Sequence, residues 1–144
     1  MYSVLILWAP DSAENRRVIE AVTRALEELK TSPTAKRVSD STVVDLTATD
    51  IVLFGVEKSG AAELPPDYNE CLRYFKGITL AGRTAGFFSL GNEKATARLR
   101  RALKDTEIAQ ADEDPVFVDG KLQDVPEWAR KLVTSHREMR NGRT

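Results

Sequence analysis

The chain has 144 residues, 42% of them hydrophobic and 30% charged, with a net charge of −1 and a single cysteine. Such a chain makes one globular domain, able to bury roughly 70% of its unfolded surface with no disulfide or metal, and the composition excludes disorder and an intrachain disulfide framework. The near-neutral charge offers no global attraction to nucleic acid or membrane, and no apolar run approaches the ~20 residues of a bilayer span.

Tyr2 to Trp8 is a continuous β-rich apolar run, which predicts a strand buried on both faces. It lacks the positive leader and length of an export signal, so an intracellular, cytoplasmic location is expected. After the turn-like Pro10, Asp11 and Ser12, a helix is predicted with Val18, Val22, Ala25, Leu26 and Leu29 on one stripe, ending near Lys30. A short second strand, an edge candidate, is placed at Ala35 to Val38, after which Val43, Val44 and Leu46 pack as the chain turns back. Asp50 to Val56 is the second obvious buried strand, and Glu57 to Pro66 is a loop rich in Gly, Ala and Pro.

Asp67 is expected to cap a helix with the stripe Tyr68, Cys71, Leu72 and Phe75, closed by a left-handed Gly77. Thr84 to Leu90 is the next strand, and Asn92 caps a helix that turns Ala95, Leu99, Ala102 and Leu103 inward. Glu107 to Val118 holds the last strand, interrupted by an acidic turn at Asp112 to Asp114. Asp124 and Glu127 read as a capping box, with Pro126 in the first turn and Trp128, Leu132 and Val133 on the buried stripe. The domain is read as residues 1–137, with 138–144 as a frayed tail. Apolar strands alternating with helices specify an α/β fold: a three-layer, doubly wound, five-stranded parallel sheet, for which the order 2-1-3-4-5 is expected.

The stretch from Leu80 to Gly91 resembles the fourth strand of flavodoxins, in which a leucine, a glycine and a basic residue precede a short phenylalanine-bearing strand and a glycine. Asp50 to Gly55 is similar to the family's third strand, and Trp128 to Leu132 to its closing helix. The resemblance covers nearly the whole chain in order and implies FMN bound by three loops. For the phosphate loop it points to Pro10, Asp11, Ser12, Ala13, Glu14 and Asn15, and for the ring to Gly55, Val56, Glu57, Gly91 and Asn92.

Each loop departs from the family's pattern. Ala13 stands where a glycine lets the backbone approach the phosphate. Asp11 and Glu14 bring two carboxylates; at ~4 Å one unit charge repels another by about 4 kcal/mol near a surface, more than the about 0.3–2 kcal/mol a helix N-terminus offers an anion. The blander reading has Asp11, Ser12 and Glu14 simply capping the helix. No aromatic residue precedes Tyr68 in the second loop, and Gly91–Asn92–Glu93 enters a helix at once. The preferred reading is a flavodoxin-like domain that lacks ordinary FMN binding and acts as a ligand- or protein-binding module. The alternative is a divergent FMN electron carrier using Ser12, Asn15 and Arg16 on the phosphate. Either is expected to be a binder or carrier more than a catalyst.

Other chemistries fit less well. A phosphoacceptor aspartate is missing at the end of the third strand, and Gly77 stands where a low-molecular-weight phosphatase needs an arginine six positions after its cysteine. Cys71 is therefore read as core. His136, the one histidine, makes no metal site and is expected to be exposed near a helix C-terminus. The helix at 92–105 carries Lys94, Arg98, Arg100, Arg101 and Lys104, and the C-terminal end Arg130, Lys131, Arg137, Arg140 and Arg143. Such runs are usually solvated faces; the functional reading is docking of a redox or other acidic protein partner. Nucleic acid is disfavoured, since no exposed aromatics interleave with these charges.

Overall fold

The structure is a computed structural model that describes residues 1–57, 64–91, 93–118 and 121–142. Its elements in order are β1 (Ser3–Ala9), α1 (Ala13–Glu28), β2 (Ser32–Arg37), α2 (Val43–Thr47), β3 (Ile51–Glu57), α3 (Asn69–Tyr74), β4 (Thr84–Leu90), α4 (Glu93–Leu103), β5 (Ala109–Gln110) and α5 (Val125–Asn141). All strand pairs are parallel, in the order β2-β1-β3-β4-β5. The expected architecture and strand order are therefore observed.

Strand alternation divides the core in two. Leu5, Leu7, Val52, Phe54 and Phe87 face α3 and α4, meeting Tyr68, Cys71, Phe75, Leu99 and Leu103. Val4, Ile6, Leu53 and Phe88 face α1 and α5, meeting Val18, Val22, Leu26, Trp128 and Leu132. Both faces of β1, β3 and β4 are thus covered, which is why those strands read as unbroken apolar runs. The edge strand β2 starts earlier than expected and is mostly exposed, and its Pro33 sits where a missing donor is tolerated.

The strand after α4 is split, as the acidic turn suggested. Two residues of β5 pair with β4, and the ladder resumes where Ser89 bridges Val116. The bulge between them is held by Arg100, whose Nε lies 2.8 Å from the Asp114 carboxylate while its guanidinium also donates to Ala111 O and covers the Phe87 ring at 4.7 Å.

Helix α1 ends where expected, near Lys30, and several other local expectations are corrected. Lys30, at φ 60°, ends α1 in a Schellman motif, its N–H donating to Glu27 O and that of Thr31 to Leu26 O. Gly77 has no such role: α3 already ends at Tyr74, and the left-handed glycines among the described residues are Gly82 and Gly91. Asp67 lies inside a 3-10 turn, Pro66–Tyr68, and caps nothing by its side chain. Val44 is exposed, and only Leu46 of its turn reaches the core. The Asp124–Glu127 capping box is absent; Asp124 has helical backbone, and Glu127 turns to Arg130. A capping box does form at Thr42 and Asp45, opening α2. Helix α5 continues to Asn141, past residue 137. The cap expected at Asn92 lies outside the described residues.

The largest correction is His136. It has no solvent exposure, its Nδ1 lies 2.7 Å from Thr84 Oγ1, and the Tyr2 ring meets it edge-on at 4.7 Å. Burial pushes its pKa below the usual imidazole value. Among the described residues no helix is long and apolar enough to cross a membrane.

Candidate ligand-binding site

In an open parallel sheet the crevice outside the carboxyl ends of the strands is where ligands sit. Here that end brings together the β1–α1 turn, the end of β3 and the end of β4. Ala9, Val56 and Ser89 stand level across the three strands. Trp8, Gly55 and Phe88 form the level beneath, and a Cβ on Gly55 would overlap the Phe88 ring, so only glycine fits there. Tyr68 fixes this floor from the other face, donating its hydroxyl to Gly55 O at 2.8 Å; burial raises the Tyr68 pKa well above the usual phenol value.

Ser12 is the N-cap of α1, its Oγ accepting from Asn15 N at 3.0 Å. Its hydroxyl proton goes to a partner 45 residues away: Ser12 Oγ donates to Glu57 Oε2 at 2.6 Å. Asn15 is buried and donates Nδ2 to Pro10 O at 3.0 Å, which pulls the turn closed over the helix. Asp11 forms a two-point pair with Arg16, both bonds 2.7 Å, and lies 3.6 Å from Arg37. The hydrogen bond from Arg16 holds the Asp11 carboxyl below its usual value. Ala13 and Glu14 open the helix on its exposed side.

The predicted phosphate-loop residues are therefore gathered in one place, but with different partners from those the spacing suggested. Asp11 turns aside to arginines and Glu14 to solvent. The carboxylate at the head of α1 comes from Glu57, the last residue of β3, which the sequence placed beside a flavin ring. Gly91, at φ 68°, turns the chain from β4 toward α4. Asn92 and residues 58–63 lie outside the described residues, so the two ring loops are seen only at Glu57 and Gly91.

Three buried polar atoms near this end have no partner among the described residues: Trp8 Nε1, Asn15 Oδ1 and Ser89 Oγ. Sequence reasoning did not single out Trp8 or Ser89, because each reads as strand. Beside the turn, Trp8, Asp11, Arg16, Lys36, Arg37 and Asp40 line an open cleft of about 590 Å³ between β1 and β2. Its cations are engaged by carboxylates, Arg37 with Asp40 and Lys36 with Asp45. Cys71 is buried, with its pKa pushed up to about 11 by burial, so it packs as core. No group of three or more metal-ligating side chains is found among the described residues.

No family model matches the sequence, and no curated protein matches it. Solved structures do. A short-chain flavodoxin associated with a PDU-type bacterial microcompartment is 17% identical, with a TM-score of 0.82 over 94% of this chain and 99% of that one. Oxidised flavodoxin 1 of Bacillus cereus is also 17% identical, at 0.80 over 92% and 97%. A Fusobacterium nucleatum flavodoxin variant bound to flavin mononucleotide is 11% identical, at 0.75 over 96% and 97%. With its five parallel strands in the order β2-β1-β3-β4-β5 and helices on both faces, the chain has the flavodoxin-like fold.

Proposed function

We propose that this chain is a flavodoxin-fold binding module whose phosphate cradle is closed by its own Glu57, so that FMN is not held in the flavodoxin manner. One observation carries the reading: Ser12 donates its hydroxyl proton to the Glu57 carboxylate. A hydroxyl has a single proton to give. The Asn15 amide donates to Pro10 O, and its unpartnered atom is an acceptor, which an anion repels. A phosphate ~4 Å from the Glu57 carboxylate would meet about 4 kcal/mol of repulsion per unit charge, against the about 0.3–2 kcal/mol that the α1 terminus supplies. The residues present do not fit an FMN phosphate there. A ligand or protein partner at the carboxyl ends, in a cytoplasmic protein, is the remaining role for a fold whose site lies at that end.

A second reading, a divergent FMN electron carrier, is supported by the likeness to flavodoxins over more than nine-tenths of the chain. It would require Ser12, Asn15 and Arg16 to exchange their present partners for phosphate, with backbone near Gly55 and Gly91 at the ring. Flavin fluorescence separates the two. Titration of the purified protein with FMN is expected to give no saturable quenching up to tens of micromolar. Micromolar quenching, abolished in Ser12→Ala/Asn15→Ala, would overturn the module and establish the carrier.

A further inference from the structure

We propose that the solvent face of α4 is a docking surface for an acidic protein. Lys94, Arg98 and Arg101 recur at i, i+4 and i+7 and form a ridge on α4, and Lys104 follows in the 3-10 turn beyond its end. All four are exposed, and none forms an ion pair among the described residues. Like charges at this spacing destabilise a helix, and Lys94 sits in the first turn, where the helix dipole disfavours a cation. Arg101 and Lys104, at the C-terminal end, are favoured by the same dipole, so Lys94 is the cation of the ridge that α4 itself does not call for.

Elsewhere part of the positive charge is neutralised, although Arg24, Lys76, Arg137 and Arg140 also form no ion pair among the described residues. Arg100, one step around the same helix, turns inward to Asp114 and the Phe87 ring. On α5, Arg130 is paired with Glu127 and Lys131 with Glu113. On α1 and β2, Arg16, Lys36 and Arg37 all reach carboxylates. The chain as a whole carries −1, so the excess positive charge on α4 is local.

Charge complementarity selects the occupant. The exposed large apolar side chains among the described residues are Met1, Val44, Val116 and Val118, with no aromatic to stack on a base. The apolar side of α4, with Ala95, Leu99 and Leu103, is buried in the core and cannot enter a lipid surface. An 11-residue helix presents a ridge of about 16 Å, which suits a small, transient protein contact steered by charge. The ridge begins just beyond Gly91, so a partner lying along α4 reaches the rim of the carboxyl-end site. The proposal rests on this local charge and holds whether or not FMN binds.

The test uses poly-L-glutamate as an acidic probe and a short DNA duplex as the competing polyanion, both at low salt. The wild-type protein is expected to bind polyglutamate, and Lys94→Glu/Arg98→Glu/Arg101→Glu to weaken binding by at least about tenfold. A control on α5, Arg137→Glu/Arg140→Glu, should stay within about twofold. The neutral variant Lys94→Gln/Arg98→Gln/Arg101→Gln should remain folded and also lose most of the polyglutamate binding. Unchanged binding by the charge-reversed variant, unchanged binding by the neutral variant, or tighter binding of DNA than of polyglutamate would each overturn the proposal.

Discussion

The two ends of the sheet hold their polar groups through different elements, and each leaves a buried atom without a partner among the described residues, His136 Nε2 at one and Asn15 Oδ1 at the other. At the amino end, His136 is sealed against Thr84, Asp50 accepts from both the amide and the hydroxyl of Ser3, and Arg83 donates to the carbonyls of Thr47 and Ala81. Those contacts tie β1 to the start of β3, β4 to α5, and the turn before β4 to α2. At the carboxyl end Ser12 bonds Glu57 across from the turn to the end of β3, and Asn15 bonds Pro10 within the turn, both part-buried. The amino end locks the fold, while the carboxyl end holds an arrangement that a single exchange of partners would open. The proposed ligand site lies at the second end, where polar groups can be re-paired without unfolding the sheet.

Breaking the amino end should therefore cost most. His136→Ala leaves a cavity and an unpaired Thr84 hydroxyl, and is expected to destabilise by about 3 kcal/mol in chemical denaturation. A loss below about 1 kcal/mol would erase the contrast. Next comes Arg100→Ala, which removes the clamp on the β5 bulge and the Phe87 contact, for about 2 kcal/mol. Ser12→Ala at the carboxyl end should cost only about 1 kcal/mol, the usual worth of an N-cap.

The ends also differ in their response to pH. The folded pKa of His136 lies below the ordinary imidazole value of 6.5, through burial first, with Asp50 opposing and Arg140 adding to the shift. Protonation therefore favours the unfolded chain. The stability from neutral His136 is complete above pH 6.5 and declines as pH falls from there through the folded pKa. Between pH 7 and 5 the wild-type melting temperature should fall further than that of His136→Gln. Equal slopes would mean that the imidazole is not sealed.

Much of this was legible in the sequence where burial is periodic. The runs in β1, β3 and β4 and the stripes of α1, α4 and α5 show themselves because each packs against a whole face. His136 was misplaced although a signal existed: Ala129, Leu132, Val133 and His136 continue one stripe, and the position should have outweighed the polarity of the residue. The Asp124–Glu127 pair had the right spacing, but Arg130, one turn on, takes the Glu127 carboxylate. The Ser12–Glu57 bond left no local trace, since 45 residues separate its ends and only the parallel pairing of β1 with β3 brings them together. Periodicity reports which face is buried; it carries no information on which loop side chain meets another.

The measurement that bears most directly on the site is FMN affinity, read by flavin fluorescence, in wild type and Glu57→Gln. The amide keeps the size of Glu57 and removes its charge. If that carboxylate closes the cradle, wild type should bind negligibly and Glu57→Gln should bind at least about tenfold more tightly. Saturable micromolar binding by wild type, with no gain in the variant, would contradict the account and return the chain to the electron carriers its fold resembles.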